Sequence, residues 1–123
     1  MSKMSFDSEA LDFRNCVPRC VESQIHPELL SMLRSMQKLC GWSFLITSGF
    51  RSKSWEFSKG RNGSSSHTKG LAVDVSASDS HARYKIVIAA GAVGVPRIGI
   101  GKDFVHLDID ETKAHPIMWH YYE

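Results

Sequence analysis

Ser65-Ser66-His67-Thr68-Lys69-Gly70-Leu71-Ala72-Val73-Asp74-Val75 places a histidine and an aspartate seven positions apart, on either side of a glycine. Leu71 to Val75 reads as a short strand. Side chains alternate across a strand, so Leu71, Val73 and Val75 share one face, and Ala72 and Asp74 the other. A carboxylate on a partly buried strand is costly unless something pairs with it. The partner has to be a proton, a cationic side chain or a metal ion. Gly70 allows the chain to turn between His67 and the strand.

A second stretch, Phe104-Val105-His106-Leu107-Asp108-Ile109-Asp110, has the same alternation. Val105, Leu107 and Ile109 form its apolar face. Phe104, His106, Asp108 and Asp110 lie opposite. If the two strands are neighbours in one sheet, Asp74 and His106 share a face and His67 stands just before it. Two imidazoles and a carboxylate suit zinc, which takes N and O ligands and, in catalytic sites, keeps a further position for water. Such a water has a pKa near ~7. Its proton needs a base. Asp103, in the Gly101-Lys102-Asp103 turn, can swing over the metal. Asp108 competes for that role, its alternative being to orient a ligand imidazole. Arg51, at the end of Ile46-Thr47-Ser48-Gly49-Phe50-Arg51, can stabilise an oxyanion or bind a substrate carboxylate.

Around these segments the periodicity predicts an α+β domain: a small, mainly antiparallel sheet with helices packed on it. Residues 7–15 read as a short helix or turn. A helix opens at Pro27, carries Leu29, Leu30, Met32, Leu33, Met36 and Leu39 at helical spacing, and ends at Gly41. Residues 42–47 read as a strand. Residues 80–90 read as a helix with Ser78 or Ser80 as N-cap and Gly91 at its end. Arg97–Ile100 and Phe104–Ile109 read as strands joined by the Gly-Lys-Asp turn. The segment from Lys53 to Ser64 reads as a long polar loop.

The bulk properties narrow the function. The chain has 123 residues and a formal net charge of +2, which fits one domain and does not suggest a nucleic-acid partner. No apolar run approaches the roughly 20 residues of a spanning helix, so no membrane insertion is expected. The first residues lack an apolar core, so no secretory signal is expected and synthesis in the cytoplasm is. Cys16, Cys20 and Cys40 read as reduced thiols in structural or incidental positions, because a four-ligand zinc clip would want a second ligand pair. His81, His115 and His120 read as surface residues. Trp119, Tyr121 and Tyr122 are expected to close the core or rim a groove. Ser66 can orient the His67 loop or cap backbone. Lys53, Lys59 and Arg61 read as a solvated face.

Three segments occur in an order that is familiar. Ser65 to Asp74 resembles an SxHxxGxAxD signature, Asp103-Phe104-Val105-His106 an (E/D)xxH signature, and Ser48-Gly49-Phe50-Arg51-Ser52 an SGxRS turn. Together, from about Leu29 to Trp119, they resemble the zinc D-alanyl-D-alanine carboxypeptidase family. That family includes phage L-alanyl-D-glutamate endolysins and shares its fold with the hedgehog signalling domain. The resemblance implies Zn2+ held by His67, Asp74 and His106, Asp103 as base and Arg51 as transition-state stabiliser. The family often has glutamate at the base position, so aspartate shortens the reach by one methylene. The resemblance further implies one catalytic domain over 1–123, with residues 1–26 outside the signatures. It implies a peptidoglycan stem peptide as substrate and action on the bacterial wall after release, as in phage or prophage lysis. A monomer is expected. The alternative is a non-catalytic zinc-containing binding or virion-associated module of the same fold.

Overall fold

The structure is a computed structural model and describes residues 10–122. Helix α1 runs Pro27–Cys40 and α3 runs Ser80–Val93, with a short α2 at Lys53–Ser58 between them. The strands are β1 (Ile46–Ser48), β2 (Ala72–Ser76), β3 (Arg97–Ile100), β4 (Phe104–Asp108) and β5 (Ile117–His120). They form one sheet in the order β1-β2-β4-β3-β5. The first three pairings are antiparallel and β3–β5 is parallel. The fold class is therefore the expected α+β, with a mainly antiparallel sheet.

The apolar strand faces and the helices make the core. Val73, Val75, Val105 and Leu107 are fully buried, together with Leu29, Leu33 and Met36 of α1 and Ile86 and Ala90 of α3. Each such valine, leucine, isoleucine or methionine contributes about 1.5–3 kcal/mol by leaving water. Pro27 stands in the first turn of α1, and Gly41 closes the helix in the left-handed conformation at φ 91°. Leu39 departs from the expected apolar stripe and is exposed.

Several boundaries differ from the sequence reading. The strand expected over 42–47 is confined to Ile46–Ser48, with Leu45 making a single parallel bridge to Asp12. The preceding residues instead close onto α1, where the Phe44 amide donates to the Gln37 side chain at 2.6 Å. Helix α3 is capped by Asp79, whose carboxylate accepts from Ala82 N, not by Ser78 or Ser80. It passes through Gly91 to end at Gly94. The segment expected as a loop from Lys53 to Ser64 contains α2, capped by the Ser52 hydroxyl. Of the residues 7–15 expected as helix or turn, 7–9 lie outside the described residues. The rest form the Asp12 bridge and a turn at Arg14–Asn15. Strand β5 had no counterpart in the sequence reading.

Candidate metal centre

Pairing of β2 with β4 sets Asp74 directly opposite His106. The polar faces of both strands therefore point the same way, against the core. His67 reaches this face from a one-turn 3-10 helix at Ser66–Lys69. Ser65 caps that turn by accepting from His67 N. Ser66 does not cap. Its hydroxyl donates to Asp110 Oδ2 at 2.8 Å and ties the turn to the segment that follows β4. Gly70 ends the turn at φ 71°, and a Cβ there would meet the Gln24 carbonyl at 2.5 Å, so glycine is required twice over.

The donor atoms of His67, Asp74 and His106 lie within 4.8 Å of one another, and all three side chains are largely buried. His67 Nδ1–H donates to the Gly49 carbonyl at 2.8 Å, which leaves the Nε2 lone pair facing Asp74 Oδ1 at 3.6 Å. His106 is oriented the other way. Its Nε2–H donates to Asp108 Oδ2 at 2.7 Å, and Nδ1 faces Asp74 Oδ1 at 3.0 Å. Each ring is thus held from behind by an oxygen acceptor, the arrangement that fixes tautomer and aim in imidazole metal ligands.

The electrostatics follow. Burial works against the charged Asp74 carboxylate. Interaction with the His106 and His67 rings outweighs it and holds the carboxyl far below its usual range. Burial also opposes a charged His106 ring, but Asp108 and Asp74 on its two nitrogens raise its pKa above the ordinary histidine value. The cluster therefore favours positive charge between Asp74 and the imidazoles, and a divalent cation can take the place of the His106 Nδ1 proton. Two nitrogens and a carboxylate oxygen with supported rings fit a zinc-like ion.

Arg51 stands beside the cluster, with Nη2 3.6 Å from Asp74 Oδ2. Its Nε donates to Ser48 Oγ at 2.9 Å, and its Nη1 reaches Glu56 Oε2 at 3.4 Å. Asp103 lies in the β3–β4 turn, exposed, and lines a cleft of about 500 Å³ with Ser48, Arg51, Asp74, Thr47 and Phe104. An adjoining pocket, lined by His67, His106, Arg61 and Tyr121, shares Arg51, Asp74 and Phe104 with it. Asp108 has no such freedom. It is buried between His106 and Arg97, whose Nε donates to it at 2.8 Å. Of the two acids considered for the base, Asp108 is placed as the ring's support and Asp103 faces the cleft.

Trp119 rims the site as expected, its ring centroid 5.4 Å from that of His106. Gly99 makes room for it, since a Cβ there would meet the indole at 2.8 Å. Tyr121 also lines the adjoining pocket, and Tyr122 lies exposed with its hydroxyl donating to the Gly101 carbonyl. His81, His115 and His120 are exposed and outside the cluster. Sequence reasoning missed Glu56. This buried acid in α2 faces both Arg51 and Arg61, each at 3.4 Å. Arg61, read as part of a solvated face, is drawn to that pocket by the acid and lies over the Trp55 ring. The one available signal was an acid five residues beyond Arg51 within a basic segment.

The structure is thus an α+β domain whose His-Asp-His cluster, open to a pocket, could hold a metal ion. A family model described as Peptidase M15 matches residues 4–108, and the chain belongs to that family of metal-dependent peptidases. The match takes in the segment that carries Cys16 and Cys20. No curated protein matches the chain. Among the described residues, no helix is long and apolar enough to cross a membrane.

Proposed function

We propose that this peptidase is a zinc enzyme that hydrolyses the stem peptide of bacterial peptidoglycan. The bond would be of D-Ala-D-Ala carboxypeptidase or L-Ala-D-Glu endopeptidase type, and the setting phage or prophage wall lysis. The observation that carries the reading is the convergence of His67 Nε2, His106 Nδ1 and Asp74, with Arg51 beside them and Asp103 in an adjoining pocket that shares Arg51 and Asp74.

His67, Asp74 and His106 would hold the ion. When bound, zinc lowers the pKa of water and polarises a carbonyl. Asp103, exposed to the cleft on a turn, takes the proton of the attacking water at its carboxylate and returns it to the leaving amine. Arg51 offers a guanidinium, oriented by Ser48 and Glu56, to the oxyanion formed at the scissile carbonyl. Asp108 and Gly49 keep the two imidazoles aimed. The ordered signatures and the family membership support this assignment of roles.

Mass spectrometry of peptidoglycan fragments incubated with zinc-loaded protein tests it. Loss of a terminal D-Ala identifies a carboxypeptidase, and release of the stem peptide at L-Ala-D-Glu an endopeptidase. No cleavage of muropeptides of several chemistries would overturn the reading and favour a binding role for the cleft.

A further inference from the structure

We propose that Cys16 and Cys20 form a reversible intramolecular disulfide that fastens the N-terminal segment against the Gly49 turn, directly behind His67. Both side chains are buried, and their sulfurs lie 3.0 Å apart in hydrogen-bond contact. An approach of about 1 Å brings them to bonding distance. Cys40 stands apart at the end of α1, where its thiol points to the Lys85 carbonyl.

The surroundings suit thiol exchange. The two thiols share a hydrogen bond in which either sulfur can be the donor, and a backbone hydrogen bond at Phe50 also favours the Cys20 thiolate against the cost of burial. Loss of a proton from one sulfur leaves a thiolate that the S–H of the other stabilises, so one cysteine attacks and the other resolves. The segment between them is exposed at Val17 and Arg19, so a short local opening admits a small disulfide. With oxidised glutathione, one of the two cysteines attacks one sulfur and expels one glutathione thiolate. The other cysteine, losing its proton, then attacks the first in the mixed disulfide and expels the second glutathione. The chain loses two electrons and two protons, and the oxidant becomes two molecules of reduced glutathione.

The location gives the bond a consequence. The sulfurs pack on Gly49 so closely that a Cβ there would lie 2.5 Å from Cys20 Sγ. The Gly49 carbonyl receives His67 Nδ1–H, and Val17, inside the would-be loop, lines the cleft and donates its amide to the Thr47 carbonyl at 3.0 Å. Oxidation thus staples the wall of the site. The inference does not depend on which bond the enzyme cuts, or on whether it cuts one.

Full-length protein is equilibrated with oxidised or reduced glutathione, alkylated under denaturing conditions and digested with trypsin. Arg19 lies between the two cysteines, so the bond would join two tryptic peptides, 15–19 and 20–34. The expected result is that joined pair in the oxidised, monomeric chain, with Cys40 still alkylated. Its Tm should be higher than that of the reduced chain by roughly 5 °C. Cys40→Ser should keep this shift, and the double variant Cys16→Ser, Cys20→Ser should abolish it. Alkylation of all three cysteines after oxidation, a bond to Cys40 or to a second chain, or an unchanged Tm of the wild type would overturn the proposal. The peptide map and the Cys40→Ser variant decide the matter even if the double variant does not fold.

Discussion

Asp74 and His106 face each other across the β2–β4 ladder, with Oδ1 and Nδ1 3.0 Å apart. The pair is fixed by backbone register, so its geometry does not depend on a flexible loop. His67 arrives from outside the ladder and is held by Ser66, Gly70 and the Gly49 carbonyl. A rigid two-residue base with one loop-borne donor makes the support of each ring a quantity that mutation can measure.

Asp108 supports His106 without belonging to the cluster. Asp108→Asn should weaken zinc binding by about 10–100-fold, whereas Asp74→Ala should leave no bound zinc after dialysis. Metal analysis and zinc titration calorimetry would separate the two. A chelator should abolish cleavage by the wild type, and zinc should restore it. Unchanged zinc affinity in Asp108→Asn would mean that the ring is held by packing against Trp119 alone.

Asp103 is expected to act on the proton and not on the metal. Asp103→Ala should keep its zinc and lose about 10²–10⁴-fold in kcat. Asp103→Glu, with one more methylene, should recover much of the rate. Metal content and muropeptide turnover, measured on the same preparations, would show it. Loss of zinc in Asp103→Ala would exclude the assignment.

Glu56 is a buried acid between two guanidiniums. Glu56→Gln removes one of the two carboxylates beside Arg51, Asp74 being the other, and should cost about 1.5–3 kcal/mol of stability, the worth of hydrogen bonding to a charged group. It should also lower kcat by freeing the Arg51 side chain. Arg61→Ala should cost under about 1 kcal/mol, since that side chain is half exposed. Chemical denaturation of the variants gives both numbers. Equal losses in the two would argue against this division.

Asp110 sets an acid limit on stability. Burial alone would raise its pKa, but Thr112, Lys69 and Ser66 donate to the carboxylate and hold it well below the usual range. The unfolded chain, with an ordinary carboxyl near ~4, then takes up this proton before the folded one. The contribution is complete above the unfolded value and is lost as pH falls through the folded one. Asp110→Asn should therefore lower the Tm at neutral pH and flatten its fall under acid. Parallel acid limbs in variant and wild type would refute this.

How much of this was legible in the residues themselves varies with the range of the interaction. The faces of β2 and β4 and the limits of α1 follow from local periodicity, proline and glycine, and so the sequence by itself determined which side chains are available to the site. The choice between Asp103 and Asp108 as the free acid was not local. Arg97, eleven residues before Asp108 and across a strand pair, buries one of them. Strand β5 escaped notice because three of its four residues are exposed, so it carries no alternation of burial, and its parallel pairing with β3 rests on Trp119 over Gly99. Helix α2 was hidden because its apolar face is small and its one buried residue is an acid. Only the tertiary structure decided that Glu56 faces Arg51, that Ser66 binds Asp110 and that two cysteines meet behind His67. Each joins groups whose partner is set by register and packing, which no short-range pattern of residues encodes.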